Sequence, residues 1–296
     1  MSTTENLQRI LGLNCRNIDY VSRYNRRDLL HLVDNKLETK KVLQRAGIPH
    51  PRLLRAYEWF WELDGFSGDL DSIDTCVLKP SRGLSGAGVL VLRREGRDQW
   101  HTPSGHRYTP ADLAHHASDI LYGVYSIDNT TDTALLEKRI VPSSFFTRIA
   151  PAGIADIRVI VFGGEPVMAM SRFPTWESDG KANVTLGAVG AGVDLATGEI
   201  ISASTKRGPL ETHPDSGVRL HGKTIPLWED VLRIASRIQD HVALGYLGVD
   251  IVVDENEGAL VLELNARPGL EIQNANGRGL KRLLQRRGSP GEAPAW

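Results

Sequence analysis

Two acidic side chains lie in a segment, residues 248–269, whose pattern predicts a β-hairpin. Two apolar, β-branched runs flank a polar turn that ends in glycine, which is typical of antiparallel strands. If Asp254 and Ala259 close a four-residue loop, Asp250 falls directly opposite Glu263. Carboxylates that face each other across a strand pair lie roughly 5 Å apart and repel. A divalent cation held by such oxygen ligands removes the repulsion, so a metal site is favoured over a solvated acidic hairpin.

Alternation along the two strands predicts which side chains share a face. The acidic face contains Asp250, Val252, Val261, Glu263 and Asn265. The core face contains Val249, Ile251, Val253, Leu260, Leu262 and Leu264. This assignment depends on the register, because a shift by one residue would move Asp250 away from Glu263.

A glycine-rich segment lies between two predicted strands, at residues 76–80 and 89–92. Its glycines are Gly83, Gly86 and Gly88. Glycines allow backbone N–H groups to approach an anion closely, and Lys79 at the end of the first strand supplies a positive charge for phosphate oxygens. The segment lacks the GK[ST] ending of a P-loop. A phosphate-binding loop and a glycine-rich hairpin turn beside a surface lysine both fit the pattern.

A second hairpin is predicted between Asp156 and Arg172, with strands over residues 157–162 and 166–171 joined by a Gly-Gly turn. Alternation places Asp156 and Arg158 on one face, and Arg172 returns on the partner strand. Two arginines that converge on one sheet face need carboxylate or phosphate partners. The alternative is an Asp156–Arg158 surface pair.

The composition is that of a globular protein, with 296 residues of which 41% are hydrophobic and 24% are charged. A net charge of −1 gives no argument for a nucleic-acid or membrane partner. The two cysteines lack CxxC spacing, so neither a disulfide framework nor a zinc cluster is indicated. Neither a signal-like start nor an apolar run of 18 residues occurs, so a cytoplasmic protein without a membrane span is expected.

Helices and further strands must position these candidates. A helical pattern runs from about residue 7 to residue 46, with Asp34 as a candidate cap within it. A short strand is predicted over residues 134–140 and a helix over residues 227–244. Hairpins interleaved with helices indicate α+β lobes, with a boundary near residue 135. Motifs of nucleophilic catalysis such as GxSxG are absent from the sequence, so the inventory fits phosphoryl-centred chemistry.

In order along the chain, the motifs are Lys36, Lys79 with its glycine loop, Glu137-Lys138, the Asp-x-Arg hairpin and Asp250…Glu263-x-Asn265-x-x-Pro-Gly. This set resembles the ATP-grasp fold over residues 34–285. Within that superfamily it is similar to the α-L-glutamate ligase group, relatives of ribosomal-protein-modifying glutamate ligases and glutathione synthetase. The resemblance implies two α+β lobes that grip ATP between them, with a short helical N-terminal arm in place of the usual Rossmann-like domain. The implied parts are the arm (1–33), a lobe with the phosphate loop (34–135), a lobe with the metal-binding hairpin (136–287) and a disordered tail (288–296).

The resemblance also implies roles for matching residues. ATP would be bound by Lys36, Lys79, Ser81, Gly83, Ser85, Gly86, Gly88, Glu137, Lys138, Arg139 and Ile140. Two magnesium ions, for which Mn²⁺ substitutes, would be held by Asp250, Glu263 and Asn265. The catalytic residues would be Arg158 and Arg172 at the γ-phosphate, and Arg267 at a substrate carboxylate. Lys181 and Asn183 would lie beside the acceptor. Some ligases of this fold carry an arginine two positions before the metal aspartate, where this chain has Gly248.

The implied activity is an ATP- and magnesium-dependent ligation of a carboxylate to an amine through an acyl phosphate. An amino acid such as glutamate is the implied substrate, and the expected partners are small carboxylates and amines, with amino acids or a peptide among them. Self-association of the chain is a further expectation. Two alternatives remain open: a kinase that phosphorylates a small hydroxyl compound, and a nucleotide-binding module that regulates a partner without turnover.

Overall fold

The structure is a computed structural model that describes residues 9–83, 86–96, 98–126 and 130–287. The α+β class predicted from the sequence is confirmed, since the described residues form two antiparallel sheets with accompanying helices. The chain divides into two compact units. The glycine-loop unit comprises residues 35–41 and 51–140, and the acidic-hairpin unit comprises residues up to 34, 42–50 and from 141 onward. The predicted boundary near residue 135 falls within a strand of the glycine-loop unit.

Strands and helices are numbered separately, each in chain order. The strands are β1 (Leu53–Tyr57), β2 (Thr75–Pro80), β3 (Leu90–Arg94), β4 (Trp100–His101), β5 (Arg107–Tyr108), β6 (Ala134–Lys138), β7 (Asp156–Phe162), β8 (Glu165–Phe173), β9 (Val189–Val193), β10 (Ile200–Thr205), β11 (Gly208–Pro209), β12 (Tyr246–Asp254) and β13 (Gly258–Asn265). The α-helices are α1 (Leu13–Cys15), α2 (Ser22–Tyr24), α3 (His31–Asp34), α4 (Lys36–Arg45), α5 (Phe66–Asp69), α6 (Pro110–Leu121), α7 (Ser144–Ile149), α8 (Trp228–Arg237), α9 (Ile272–Ala275) and α10 (Lys281–Arg287). Short 3₁₀ helices cover Arg27–Leu29, Phe60–Gly65, Val184–Leu186 and Ile238–Asp240, and a π-helical turn covers Arg16–Val21.

The glycine-loop unit contains a six-stranded sheet in the order β1-β6-β2-β3-β4-β5. Helix α6 begins with a capping box, in which Thr109 and Asp112 each accept a hydrogen bond from the backbone N–H of the other. Its buried residues recur at helical spacing and pack on the strands: Leu113, Ala117, Ile120 and Leu121. This packing fixes β2 and β6, which carry Lys79 and Glu137.

The acidic-hairpin unit contains a seven-stranded sheet in the order β11-β10-β9-β8-β7-β12-β13. One face forms the larger core, where Val231 and Ile234 of α8 pack among the apolar side chains of the central strands. On the other face, a second cluster joins Tyr20 and Tyr24 of the N-terminal arm to strand residues such as Ile160. Both faces of the central strands are therefore buried, which explains their continuous apolar character.

The N-terminal helical pattern is broken where the sequence predicts one long helical stretch. Helix α2 ends at Tyr24, and the next residue, Asn25, has an extended backbone and a side-chain amide that forms hydrogen bonds with the backbone of Tyr246. The predicted cap at Asp34 is wrong by one residue. The Asn35 side-chain oxygen accepts hydrogen bonds from the N–H groups of Leu37 and Glu38, which start α4.

The predicted opposition of Asp250 and Glu263 is confirmed, but the predicted loop is wrong. Asp254 pairs with Gly258, so the loop holds three residues and the pairing near the turn is shifted by one. A β-bulge then restores the expected register at Asp250. Because of the shift, Val261 and Leu262 exchange sheet faces: Val261 packs in the core, whereas Leu262 is half-buried. The same shift corrects the predicted faces, which had placed Val261 beside the carboxylates and Leu262 in the core.

None of the helices in the described ranges combines the length and apolar character needed to cross a membrane.

Candidate functional site

Asp250 is almost fully buried on β12, and its carboxylate is surrounded by donors. Arg158 forms a two-pronged ion pair with it, with Nε–Oδ1 and Nη2–Oδ2 distances of 2.7 and 2.6 Å. Arg172 adds a hydrogen bond of 2.9 Å, and the amide nitrogen of Asn265 adds one of 3.1 Å. The structure thus brings together two of the predicted catalytic arginines and two of the predicted metal ligands.

A second carboxylate extends this group into a row of side chains with alternating charge, Arg158, Asp250, Arg172 and Asp156. Asp156 accepts hydrogen bonds from Nε and Nη2 of Arg172, at 2.6 and 2.5 Å. The strand register produces this order, because Arg158 lies opposite Asp250 and Arg172 lies opposite Asp156. From the sequence, Asp156 has a named partner only in the alternative of a surface pair with Arg158. The structure instead buries it against Arg172, which its position directly across the β7–β8 hairpin could have indicated.

The two carboxylates differ in their electrostatic surroundings. Burial opposes ionisation of Asp250, but Arg158 and Arg172 outweigh burial and lower its pKa to about 2. Burial raises the pKa of Asp156 to about 6, against the opposing effect of Arg172, and the charge of Asp250 contributes to the rise. Asp250 therefore carries a stable negative charge near neutral pH, as a metal ligand requires.

The donor set on this face fits magnesium. Asp250 and Glu263 are directly opposite on β12 and β13, and Asn265 follows on the same strand as Glu263. The Asn265 amide nitrogen donates its hydrogen bond to Asp250, so the amide oxygen of Asn265 is available for a cation. Among the described residues, no cluster of three or more histidine, cysteine, aspartate or glutamate side chains could hold a metal. Magnesium is commonly bound by one or two carboxylates together with substrate phosphates, so a set of two carboxylates and an amide is sufficient.

The segment that follows the metal-ligand candidates is held by the N-terminal arm. Arg16 is buried and donates hydrogen bonds to the carbonyl oxygens of Arg267 and Pro268, at 3.4 and 2.9 Å. The Arg267 side chain is exposed. Gly248 is required here, because a Cβ atom at this position would lie 2.7 Å from Cβ of Pro268. This contact explains why an arginine is excluded from the position two residues before Asp250.

In the glycine-loop unit, Lys79 and Glu137 form a buried ion pair with an Nζ–Oε2 distance of 2.8 Å. A second lysine shares the same carboxylate, because Nζ of Lys40 lies 3.2 Å from Oε1 of Glu137 and donates to the carbonyl of Pro51. Lys40 is not among the residues that the sequence predicts for the site. The missed signal is its spacing of four residues from Lys36, which places both on one face of α4.

Lys36 begins α4 and donates a hydrogen bond of 2.8 Å from Nζ to the carbonyl of Gly83. Ser81 is fully buried, and its hydroxyl donates to the Asn35 side chain and accepts from the N–H of Leu37 at 3.2 Å. The structure therefore uses the Ser81 hydroxyl to fix the start of the helix beside the glycine loop. Lys36, Lys79 and Gly83 are brought into the same unit by these contacts.

The described part of the glycine loop approaches other residues closely. A Cβ atom at Gly83 would lie 2.4 Å from Cγ of Pro80, and one at Gly88 would lie 2.6 Å from the ring of Tyr125. Gly86 and Gly88 have positive φ values of 77° and 70°, which favour glycine. Ser85, a predicted ATP contact, lies outside the described residues.

The remaining predicted site residues lie in two further segments. Lys138 is exposed at the end of β6, Arg139 is half-buried and Ile140 is buried. Lys181 lies 3.6 Å from Asp179, and the Asn183 side chain caps the 3₁₀ helix by accepting from Thr185 N–H. Within the described ranges, the side chains of Lys181 and Asn183 form no hydrogen bond with the predicted catalytic arginines.

Lys40 gives the protein an unusual dependence of stability on pH. Burial lowers its pKa to about 8, with Glu137 opposing the change and Lys79 adding to it. Between pH 8 and the ordinary value of 10.5 the unfolded chain keeps the proton that the folded protein has lost. We therefore expect the free energy of unfolding to rise with pH in this window, with a slope of at most about 1.4 kcal/mol per pH unit.

Urea denaturation at several pH values measures this contribution as the difference between wild type and Lys40→Met. The variant should lack the rise, whereas Lys41→Met, which removes an exposed neighbour paired with Glu38, should retain it. An unchanged slope in Lys40→Met would show that another group causes the rise.

The family model described as sugar-transfer associated ATP-grasp matches residues 15–288. A search of curated proteins finds no match. Among solved structures, D-alanyl-alanine synthetase A from Vibrio cholerae is similar with a TM-score of 0.51 and 12% identity, over 86% of this chain and 63% of that one. The predicted ATP-grasp fold is thereby confirmed.

Two other solved structures are similar at lower TM-scores. The ATP-grasp ligase PsnB with its minimal precursor has a TM-score of 0.46 and 16% identity, over 88% of this chain and 60% of that one. The ADP complex of purK, an N5-carboxyaminoimidazole ribonucleotide synthetase, has a TM-score of 0.48 and 16% identity, over 81% and 46%. The chain therefore spans less than two thirds of the length of these structures.

Proposed function

The chain belongs to the sugar-transfer associated ATP-grasp family, and from this premise we propose that it is an ATP- and magnesium-dependent ligase that joins a carboxylate to an amine. The observation that carries the proposal is the sheet face with Asp250, Glu263, Arg158 and Arg172. It combines oxygen ligands for a hard cation with guanidinium groups that match phosphate and acyl phosphate oxygens.

We assign the residues of each unit the following roles. In the glycine-loop unit, Lys36 and Lys79 bind phosphate oxygens of ATP, and the backbone of the glycine loop contributes N–H donors. Lys79 and Lys40 together carry one more positive charge than Glu137 neutralises, which favours an anion beside them. The segment 137–140 contacts the adenine. Ser81 and Asn35 act by fixing the start of α4, and with it Lys36.

In the acidic-hairpin unit, Asp250, Glu263 and Asn265 would hold magnesium, which when bound neutralises phosphate charge. Arg158 and Arg172 neutralise the oxygens of the transferred phosphoryl group, and Asp250 and Asp156 hold these arginines in place before phosphate arrives. Catalysis of this type depends on positioning and charge neutralisation, so a general base among the protein side chains is not required for the first step.

The proposed reaction has two steps. A substrate carboxylate oxygen attacks the γ-phosphorus, and the bond from that phosphorus to the β,γ-bridging oxygen breaks. ADP is the leaving group, and the substrate becomes an acyl phosphate. An amine then attacks the acyl carbon, the bond to the phosphate oxygen breaks, and the departing phosphate takes the proton that the amine loses. The products are an amide, ADP and phosphate.

For the substrates, we propose an amino acid such as glutamate as one reactant, with Lys181, Asn183 and Arg267 beside the acceptor and its carboxylate. The assignment to the α-L-glutamate ligase group stays a prediction, since the matching family carries a different description. That description associates the family with sugar transfer, so a saccharide that bears a carboxylate or an amine also belongs among the candidates.

The proposal is tested by release of ADP over a matrix of carboxylates and amines, with mass spectrometry of the products. Hydroxylamine added during ATP turnover should trap the acyl phosphate as a hydroxamate. A phosphorylated hydroxyl compound without hydroxamate would identify a kinase instead. Absence of ADP release across the whole matrix would favour a nucleotide-binding module without turnover.

A further inference from the structure

The acidic-hairpin unit contains a cavity of about 650 Å³ that has no part in the roles assigned so far. This volume lies in the range of small-molecule sites. Four cationic side chains line it: Arg9, Lys206, Arg207 and Arg278. None of the described residues that line it is acidic. A cavity with this lining favours an anionic ligand.

Three separate segments are fastened together to form the cavity. The pairing of Thr205 with Gly208 places Lys206 and Arg207 at the tip of the β10–β11 hairpin. The carbonyl of Arg9 accepts a hydrogen bond of 3.1 Å from the N–H of Lys281. A Cβ atom at Gly279 would lie 2.2 Å from that same carbonyl oxygen, so the close approach requires glycine. The position of the Arg9 backbone is therefore built into the fold.

Gln273 ties the N-terminal segment to the end of α9. Its side-chain oxygen accepts from the N–H groups of Leu11 and Leu280, at 2.8 and 2.9 Å, and its nitrogen donates to the carbonyl of Leu11 at 3.1 Å. Gln273 also lines the cavity and is buried. These bonds hold two cationic walls, those of Arg9 and Arg278, at a fixed separation.

The positive charges of the cavity are only partly balanced. Glu177 lies 2.8 Å from Lys206 and 3.1 Å from Arg207 and is their ion-pair partner. Arg278 is exposed, and its side chain forms no ion pair within the described part of the chain. The charges of Lys206, Arg207 and Arg278 thus exceed that of the one carboxylate beside them, and an oxyanion that enters the cavity would reduce their mutual repulsion.

The cavity lies on the same sheet face as the row of charged side chains around Asp250. Ser204 lines the cavity and pairs with Gly190 of β9, which in turn pairs with Arg172 of β8. Strands lie about 4.8 Å apart, so the backbones of Ser204 and Arg172 are about 10 Å apart. A Cβ atom at Gly190 would meet Ala275 of α9 at 3.3 Å, which shows that this row of residues faces α9.

We propose that this cavity binds an oxyanion, a carboxylate or phosphate group of the substrate, at a distance from the reacting carboxylate. Only the assignment to the substrate rests on the proposed ligase function. The anion site itself rests on the cationic lining, the fixed frame and the shared sheet face. A substrate with one reacting end and a second, charged end matches this arrangement.

Isothermal titration calorimetry with inorganic phosphate and with succinate tests the site directly. Magnesium and an ATP analogue with an imido group between the β and γ phosphates are kept saturating, so that the nucleotide phosphate positions are filled. We expect wild type to bind at least one anion, and Lys206→Ser combined with Arg278→Ser to raise the Kd of that anion about tenfold or more. Binding of phosphate alone would identify a phosphate group, and binding of succinate alone would identify carboxylates.

The matched control combines Arg219→Ser with Arg282→Ser, which removes two exposed cations that do not line the cavity. This control should bind the anion as wild type does. The proposal is overturned if neither anion binds to wild type, or if the two double variants have the same Kd. Failure of the analogue to bind would count against the ligase proposal alone, because the comparison of the variants is made in the same way without it.

Discussion

Replacement of Glu263 by glutamine should reduce kcat by about 10³-fold or more, because it removes a negative charge from the proposed magnesium site while preserving the size of the side chain. Glu263 lies directly opposite Asp250, and the pair supplies the two carboxylates of the donor set. A neutral amide binds magnesium less well than a carboxylate, so the variant should also need a higher magnesium concentration for its residual activity. ADP release measured against magnesium concentration gives both quantities.

The matched control is Glu229→Gln, which makes the same change on an exposed position of α8. It should leave kcat and the magnesium requirement unchanged. The temperature of unfolding should remain close to that of wild type in both variants, since Glu263 is only half-buried. Activity near the wild-type level in Glu263→Gln would contradict the assignment of this residue to the metal.

The hairpin shows how far the sequence determines this site. Alternation of apolar and polar residues predicted both strands and the opposition of Asp250 and Glu263. The prediction of the loop failed because a turn of three residues and a compensating bulge give the same register at Asp250 as a turn of four residues. Local patterns do not distinguish these solutions. The packing of Val261 in the core, which depends on the whole sheet, does so.

The two charged residues that were not assigned their partners from the sequence differ in their cause. Asp156 pairs with Arg172 across a hairpin that the sequence predicts, whereas Lys40 depends on Glu137, a partner far along the chain. Burial of a charge is favourable only when such a partner is in place, and the pairing follows from strand order and helix placement. The cavity lined by Arg9 and Arg278 is a stronger case, because its walls come from opposite ends of the chain.

The burial of these charges links stability to the proposed chemistry. Arginines that bind phosphate must be oriented before it arrives, and Asp250 and Asp156 provide that orientation. A buried ion pair is weak evidence for stability by itself, because the cost of removing charges from water offsets much of their attraction. We therefore infer that the row of side chains with alternating charge is explained better by the positioning of Arg158 and Arg172 than by a gain in stability.

Replacement of Arg172 by methionine should lower the free energy of unfolding by about 3–5 kcal/mol, because it leaves the buried carboxylate of Asp156 without its partner. Burial already raises the pKa of Asp156 to about 6, and loss of Arg172 removes the charge that opposes this rise. The folded variant then binds a proton more tightly than the unfolded chain, so its stability falls as pH rises from the unfolded value of 3.8 through the raised folded value. Urea denaturation should therefore show a larger loss at about pH 8 than at about pH 5.

The double variant Asp156→Asn with Arg172→Met separates the buried charge from the lost packing. Because it removes the unpaired carboxylate, it should recover part of the stability and lose the dependence of the effect on pH. Arg219→Met, at an exposed position, is the control for loss of a guanidinium group and should unfold as wild type does. A decrease in the free energy of unfolding below about 1 kcal/mol in Arg172→Met at both pH values would show that Asp156 is solvated or otherwise paired. That result would contradict the buried ion pair between Arg172 and Asp156.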